Sequence, residues 1–195
     1  MDANQDLLDL LMELQSLDHL PRVGYSQRGI PQPESVSEHI FHVVFLVWAL
    51  APRVPGLDRR RAMELALIHD LAEVRFGDLP RTAAHYLPKG AKAEAERHAM
   101  ADLLSPLGSE GPDLLREYQQ GTSPEARFVS VCDKLQLILK ARVYESWGHA
   151  GAGELADLLD RFDDGGFEAV AEVVRALGHR PAAPIGESGD DAPGR

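Results

Sequence analysis

Four side chains able to ligate a divalent cation stand out in this chain: His39, the adjacent pair His69-Asp70, and Asp133. Two imidazole nitrogens and two carboxylate oxygens suit Mn²⁺, Fe²⁺, Co²⁺, Ni²⁺ or Zn²⁺, whereas Mg²⁺ more naturally takes an all-oxygen site. Four protein ligands on an ion that accepts six leave room for water and a substrate oxygen. The chemistry to expect is metal-assisted hydrolysis, by Lewis-acid activation and a more acidic nucleophilic water.

The elements that must position these groups read as helices. The run Arg60 to Ile68 is strongly amphipathic and ends at His69-Asp70, between Leu65, Leu67, Ile68 and Leu71. Burying uncompensated polar groups there would cost roughly 2–7 kcal/mol for each neutral group, and more for an ionised one. Adjacent helical residues lie about 100° apart, so both side chains can face one ion beside the helix. Ser35 and Glu38 have capping-box spacing, which puts His39 in the first turn of a helix through Trp48. Asp133 falls in the helical run Arg127 to Leu135, where Val129, Cys132, Leu135, Gln136 and Leu139 form an apolar stripe around it. Taken alone, Asp133 is more often a surface residue and His39 more often a core histidine. The combination is what specifies a site.

The pattern continues as helices at about 36–51, 58–75, 91–105, 113–119, 125–147, 153–161 and 167–177, preceded by one marked by Leu7, Leu10, Leu11, Leu14 and Leu17. Pro21 to Glu34 reads as an ordered loop, and Gly77-Asp78-Leu79-Pro80 as a break next to the His-Asp pair. No strand pattern, internal repeat or phosphate-cradling glycine loop is visible, so the fold class expected is all-α. A length of 195 residues suits one domain, placed at 1–179. The stretch 180–195, rich in Pro, Gly and acid, reads as a disordered tail.

A net charge of -11 opposes binding to nucleic-acid polymers, whose phosphates must be neutralised by Lys and Arg. Small anionic substrates need only a metal and one or two cations. The single cysteine, Cys132, excludes a disulfide framework and a Cys-based zinc motif. The acidic N-terminus lacks a basic export segment, and no apolar run approaches the ~20 residues needed to span a bilayer. The expectation is a cytoplasmic protein without a membrane partner.

Leu20 to Tyr25, Pro33 to His39, Ile68 to Glu73 and Gly77 to Pro80 together resemble the motifs of the HD-domain metal-dependent phosphohydrolases, in their 5'-deoxynucleotidase branch. The resemblance covers most of the chain. It implies an all-α HD-domain fold, one divalent ion held by His39, His69, Asp70 and Asp133, a homodimer, and hydrolysis of deoxyribonucleoside 5'-monophosphates to deoxynucleosides and phosphate. Where the family commonly carries Trp, this chain has Tyr25, in a loop that the resemblance ties to the choice between deoxyribose and ribose.

Glu73 lies four residues after His69 and three after Asp70, which brings its carboxylate to the same helical side. It is the candidate for protonating the leaving 5'-oxygen or positioning the water. The resemblance makes Arg22 the phosphate clamp, for which a guanidinium offers paired donors, and Asp78 the acceptor of a sugar hydroxyl. The bland reading of Asp78 is a turn residue or helix cap. Arg28 and Lys134 read as solvated charges, and Glu145 as a surface carboxylate or a partner to a site group. His42 could compete with His39 as a ligand, and His98 or His85 could serve a second metal, but a mononuclear site is simpler. Alternatives are hydrolysis of another phosphorylated metabolite or of a cyclic nucleotide, and a non-catalytic regulator that binds metal or nucleotide.

Overall fold

The computed structural model describes residues 3–178, and the tail expected at 180–195 lies outside them. Among the described residues the chain is all-α. The helices are α1 (Ala3–Leu14), α2 (Val23–Ser26), α3 (Val36–Leu50), α4 (Arg59–Ile68), α5 (Glu73–Phe76), α6 (Arg81–Ala84), α7 (Ala91–Leu103), α8 (Glu110–Gln120), α9 (Pro124–Ser146), α10 (Gly153–Ala156) and α11 (Glu168–Gly178). None is long and apolar enough to cross a membrane.

Three long helices start where their caps dictate. Ser35 Oγ accepts from Glu38 N (3.2 Å) while Glu38 Oε2 accepts from Ser35 N (2.7 Å), completing the capping box of α3. Asp58 caps α4, and Ser123, followed by Pro124, caps α9; such a cap contributes about 1 kcal/mol. Glu125 Oε1 accepts from Asp58 N (2.9 Å), tying the starts of α4 and α9 together.

Those three helices build the core. Val43 and Val47 of α3, Leu65 and Ala66 of α4, and Phe128, Val129, Cys132 and Leu135 of α9 are fully buried. Ala62, Ala66 and Ala126 keep the helices close. Leu114 and Leu115 of α8, Met100 of α7 and Val170 of α11 close the periphery. Trp48 and Trp147 are 48% and 58% exposed, so neither is a core residue.

The loop from Pro21 to Glu34 is closed at its base by Arg22 N donating to Glu34 O (2.9 Å) and Val36 N donating to Leu20 O (2.8 Å). Tyr25 and Ile30 fasten it to Ala141 and Tyr144 of α9 and to Ala152, Leu155 and Ala156 beyond. Gly151 is required there, because a Cβ at that position would overlap the carbonyl oxygen of Arg28.

The helix expected over 58–75 is two helices. After Ile68 the chain tightens into turns, with Leu71 N donating to Ile68 O (3.2 Å) and Glu73 N to Asp70 O (3.0 Å), before α5 begins. Three-residue spacing rotates each residue further about the axis than an α-turn does. The break therefore falls on the His-Asp pair itself.

Candidate metal centre

Each ligand candidate comes from a different structural device. His39, in the first turn of α3, and His69, at the end of α4, are buried. Their Nε2 atoms face each other at 3.3 Å. Asp70 Oδ2 lies 3.5 Å from His39 Nε2 and 3.4 Å from His69 Nε2. Asp133 Oδ1, from the middle of α9, is 3.2 Å from His39 Nε2. His39, His69 and Asp70 form a cluster compact enough to hold an ion, and Asp133 adjoins it through its contact with His39.

The far sides of both rings are occupied. His69 Nδ1 is 2.7 Å from Ala66 O, and a carbonyl can only accept, so Nδ1 carries the proton. His39 Nδ1 is 2.7 Å from Gln136 Oε1, which accepts in the same way. Neutral rings would then turn both Nε2 lone pairs toward the same space for a metal, whereas a charged His39 donates from Nε2 to Asp133 Oδ1 (3.2 Å). That donor set fits a divalent cation with nitrogen and oxygen ligands.

Electrostatics agree. Burial pushes the Asp70 carboxyl up, but His69, Arg22 and His39 outweigh it and leave it below the usual carboxylate range. Burial likewise opposes ionisation of Asp133, and the hydrogen bond and charge of His39 overcome it. Burial pulls His39 down, yet the carboxylates of Asp133 and Asp70 carry it above the ordinary imidazole range. The cluster calls for a positive charge between its ligands.

Glu73 opens α5 beside this cluster, 2% exposed, and its Oε2 has no hydrogen-bond partner. Burial first, then Asp70 and Asp78, push its carboxyl up to about 10, so it holds a proton at neutral pH in the metal-free protein. Arg22 reaches over the carboxylates from the loop. Its Nη1 donates to Asp70 Oδ2 (2.9 Å) and lies 3.5 Å from Asp78 Oδ1 and 3.9 Å from Glu73 Oε2. Asp78 Oδ2 accepts from Val23 N (2.6 Å), so Asp78 holds the Arg22 loop as well as facing the site. Tyr25 is buried behind the loop. Its hydroxyl donates to Leu137 O (2.8 Å) and its ring meets Tyr144 edge-on at 5.1 Å.

Other sequence candidates lie elsewhere. The His42 side chain is 44% exposed, with Nδ1 3.7 Å from Glu34 Oε2, and His98 is exposed beside Glu94. His85 and Lys134 are exposed. Arg28 faces Gly24 O and Glu154, and Glu145 pairs with Arg142.

Four residues at the site carried no signal of their own. Gln136 holds His39, and Glu34 holds Gln136 through Nε2 at 2.9 and 3.2 Å. Tyr118 donates to Asp133 Oδ2 (3.4 Å) and sets its ring edge against His69. Burial opposes the charge on Lys92, but Glu96, Asp70 and Glu73 together hold its ammonium above the ordinary lysine range. Only Glu34 could have been suspected, since it sits in the Pro33-to-His39 motif.

The HD domain family matches residues 14–161. The 5'-deoxynucleotidase HDDC2 of Homo sapiens is 36% identical over 160 residues, covering 80% of this chain and 76% of that protein. The 5'-deoxynucleotidase hdd1 of Schizosaccharomyces pombe is 31% identical over 146 residues, covering 71% and 70%. Among solved structures, a conserved hypothetical protein from Pyrococcus furiosus superposes with a TM-score of 0.79 at 31% identity, over 89% of this chain and 99% of that one.

Proposed function

This chain belongs to the HD-domain family, and from that premise we propose that it is a metal-dependent phosphomonoesterase acting on deoxyribonucleoside 5'-monophosphates to give deoxynucleosides and phosphate. The observation that supports the reading is the close cluster of His39, His69 and Asp70, with Asp133 against His39 and with Arg22 and Glu73 beside it.

His39, His69, Asp70 and Asp133 would hold a divalent ion, which would supply Lewis-acid activation and a more acidic water. The mixed nitrogen and oxygen donors favour Mn²⁺, Fe²⁺, Co²⁺, Ni²⁺ or Zn²⁺ over Mg²⁺. The rest falls to the chain. Arg22, held charged among Asp70, Asp78 and Glu73, presents its guanidinium to the phosphate oxygens. Glu73, buried and protonated, stands ready to give its proton to the leaving 5'-oxygen, which would otherwise depart as a poor alkoxide. Asp78 accepts a sugar hydroxyl with the capacity that Val23 N and Arg22 leave free. Tyr25 acts on the sugar through the loop it seats on α9.

The same reading takes the protein to be a cytoplasmic homodimer, supported by its acidity, its single buried cysteine, and the exposed row Phe41, Phe45 and Trp48 on α3. The test is phosphate release by metal-stripped protein from matched deoxyribonucleoside and ribonucleoside 5'-monophosphates, with Mn²⁺, Co²⁺ or Mg²⁺ restored separately. Metal-dependent release that prefers deoxyribose and disappears in Asp70→Ala is expected. Equal use of both sugars would discard the selectivity and keep the hydrolase. Metal binding without release over a broad phosphomonoester panel would make the protein a binding module instead.

A further inference from the structure

The proton on His69 Nδ1 is fixed by a backbone carbonyl, which has only one polarity. The proton on His39 Nδ1 is not. Its partner is the Gln136 amide, which would offer an acceptor or a donor according to which end faces the ring. Something must choose the end, and the structure contains it.

Gln136 Nε2 donates to both carboxylate oxygens of Glu34, at 2.9 and 3.2 Å. An ionised carboxylate can only accept, so the amino end of Gln136 is drawn toward Glu34 and the carbonyl end is turned to His39. The Glu34 side chain is fully buried, and it is fixed from other directions. Lys140 Nζ lies 3.4 Å from Oε2, and the main-chain N–H of Glu34 donates to Tyr144 Oη at 2.6 Å. Gln136 itself is 3% exposed. Water has little access to relax this chain of contacts.

We infer that Glu34, acting through Gln136, is a positioning residue that selects the metal-binding tautomer of His39. The inference rests on the metal-centre reading given above. With the Glu34 carboxylate holding Gln136, a neutral His39 keeps its proton on Nδ1 against the pull of Asp133 and Asp70, 3.2 and 3.5 Å from Nε2, and leaves the Nε2 lone pair for a metal. Replacing Glu34 by Gln changes almost no volume but offers Gln136 a donor. Lys140 would attract the new amide oxygen and leave its amino group for Gln136. The Gln136 amide would then turn over and face His39 Nδ1 with a donor. The imidazole proton would move from Nδ1 to Nε2, with no net gain or loss of protons, and cover the lone pair that a metal needs.

The same residue closes the substrate loop, since Glu34 O accepts from Arg22 N (2.9 Å). One residue thus serves the loop with its backbone and the ligand with its side chain.

The test reads the tautomer directly. In ¹⁵N-histidine-labelled, metal-free protein at alkaline pH, where the rings are neutral, the wild-type His39 signals should show a protonated Nδ1. In Glu34→Gln they should show a protonated Nε2, with Mn²⁺ affinity by calorimetry lowered about 10–100-fold, the range expected for loss of a ligand's outer partner. Gln136→Met should weaken Mn²⁺ binding similarly, and adding Glu34→Gln to it should change nothing further, because the two act in series. Retention of Nδ1–H in Glu34→Gln, or additive losses in the double variant, would overturn the inference. If Glu34→Gln does not fold, Gln136→Met with unchanged affinity overturns it instead. Wild-type protein that binds no metal would sink the metal-centre reading, whereas the tautomer in the metal-free protein still decides this one.

Discussion

The two halves of the proposed metal centre are held in different ways. His69, Asp70 and Glu73 come from one short stretch, and the ring of His69 is fixed by the carbonyl of Ala66 in its own helix. His39 and Asp133 come from helices far apart in sequence, and each is held by side chains from elsewhere: Gln136 and Glu34 behind His39, Tyr118 behind Asp133. In the first half His69 carries its support in the backbone, where substitution cannot remove it, while Asp70 is held by the guanidinium of Arg22. The second half depends on a few side chains, each of which a single substitution can break. Local support makes a ligand robust, and remote support makes it adjustable.

The largest expected effect lies in the local half, at the one member with no partner for its buried oxygen. Glu73→Gln keeps the shape and loses the proton, so turnover should fall about 10²–10⁴-fold, the usual contribution of general acid–base catalysis, with metal content unchanged. Full turnover in this variant would remove Glu73 from the chemistry. Stability should move the other way. The folded carboxyl is raised to about 10 from an ordinary 4.5, mainly by burial. Below the ordinary value, folded and unfolded chains both hold the proton, and the shift costs nothing. As the pH climbs toward the folded value only the unfolded chain ionises, and the folded state loses ground. Metal-free Glu73→Gln should therefore melt like wild type in acid and increasingly above it toward alkaline pH. A gap independent of pH would show that Glu73 is not held protonated.

The sequence makes the two halves unequally legible. Ser35 and Glu38 announce the start of α3, and with it the place of His39, because a capping box is written in adjacent residues. The all-α architecture follows from apolar periodicity, and the family from the resemblance of four motif segments, Leu20 to Tyr25, Pro33 to His39, Ile68 to Glu73 and Gly77 to Pro80. The break at 69–72 is not announced. That segment contains no Gly or Pro, and Leu71, Ala72 and Val74 continue the apolar pattern into the core, so it reads as unbroken helix. Gln136 reads only as one more member of the stripe around Asp133. Its role exists only once α9 is laid against α3 and the loop from Pro21 to Glu34 is closed, which no local pattern encodes.

A smaller effect tests the remote half at Asp133. Tyr118 donates to Asp133 Oδ2 over 3.4 Å, a long contact, and it does not choose between alternative states of its partner. Tyr118→Phe removes one hydrogen bond of net value about 0.5–1.5 kcal/mol, which corresponds to a metal affinity lowered roughly 2–10-fold. Calorimetric titration with Mn²⁺ measures it. A loss as large as that of Glu34→Gln would mean that the remote half is sensitive to any lost contact, and would erase the distinction drawn for Glu34.

The smallest effect on the site should come from the residue whose carbonyl holds His69. Ala66 is fully buried in α4, and Ala66→Gly removes its methyl group but leaves its carbonyl in place. Glycine within a helix costs about 1 kcal/mol against alanine, which for a chain of this size lowers the melting temperature by roughly 2–4 °C. The metal affinity of the folded protein and the Nδ1–H signal of His69 should stay as they are. Glu34→Gln is expected to do the reverse, switching a tautomer while the loss of one charge barely changes the packing. The pair of variants therefore crosses over: one loses stability and keeps its ligand, the other keeps its fold and loses its ligand. If Ala66→Gly also altered the His69 tautomer, the ring would be positioned by the packing of α4 rather than by the carbonyl, and the contrast between backbone and side-chain support would fail on its simpler side.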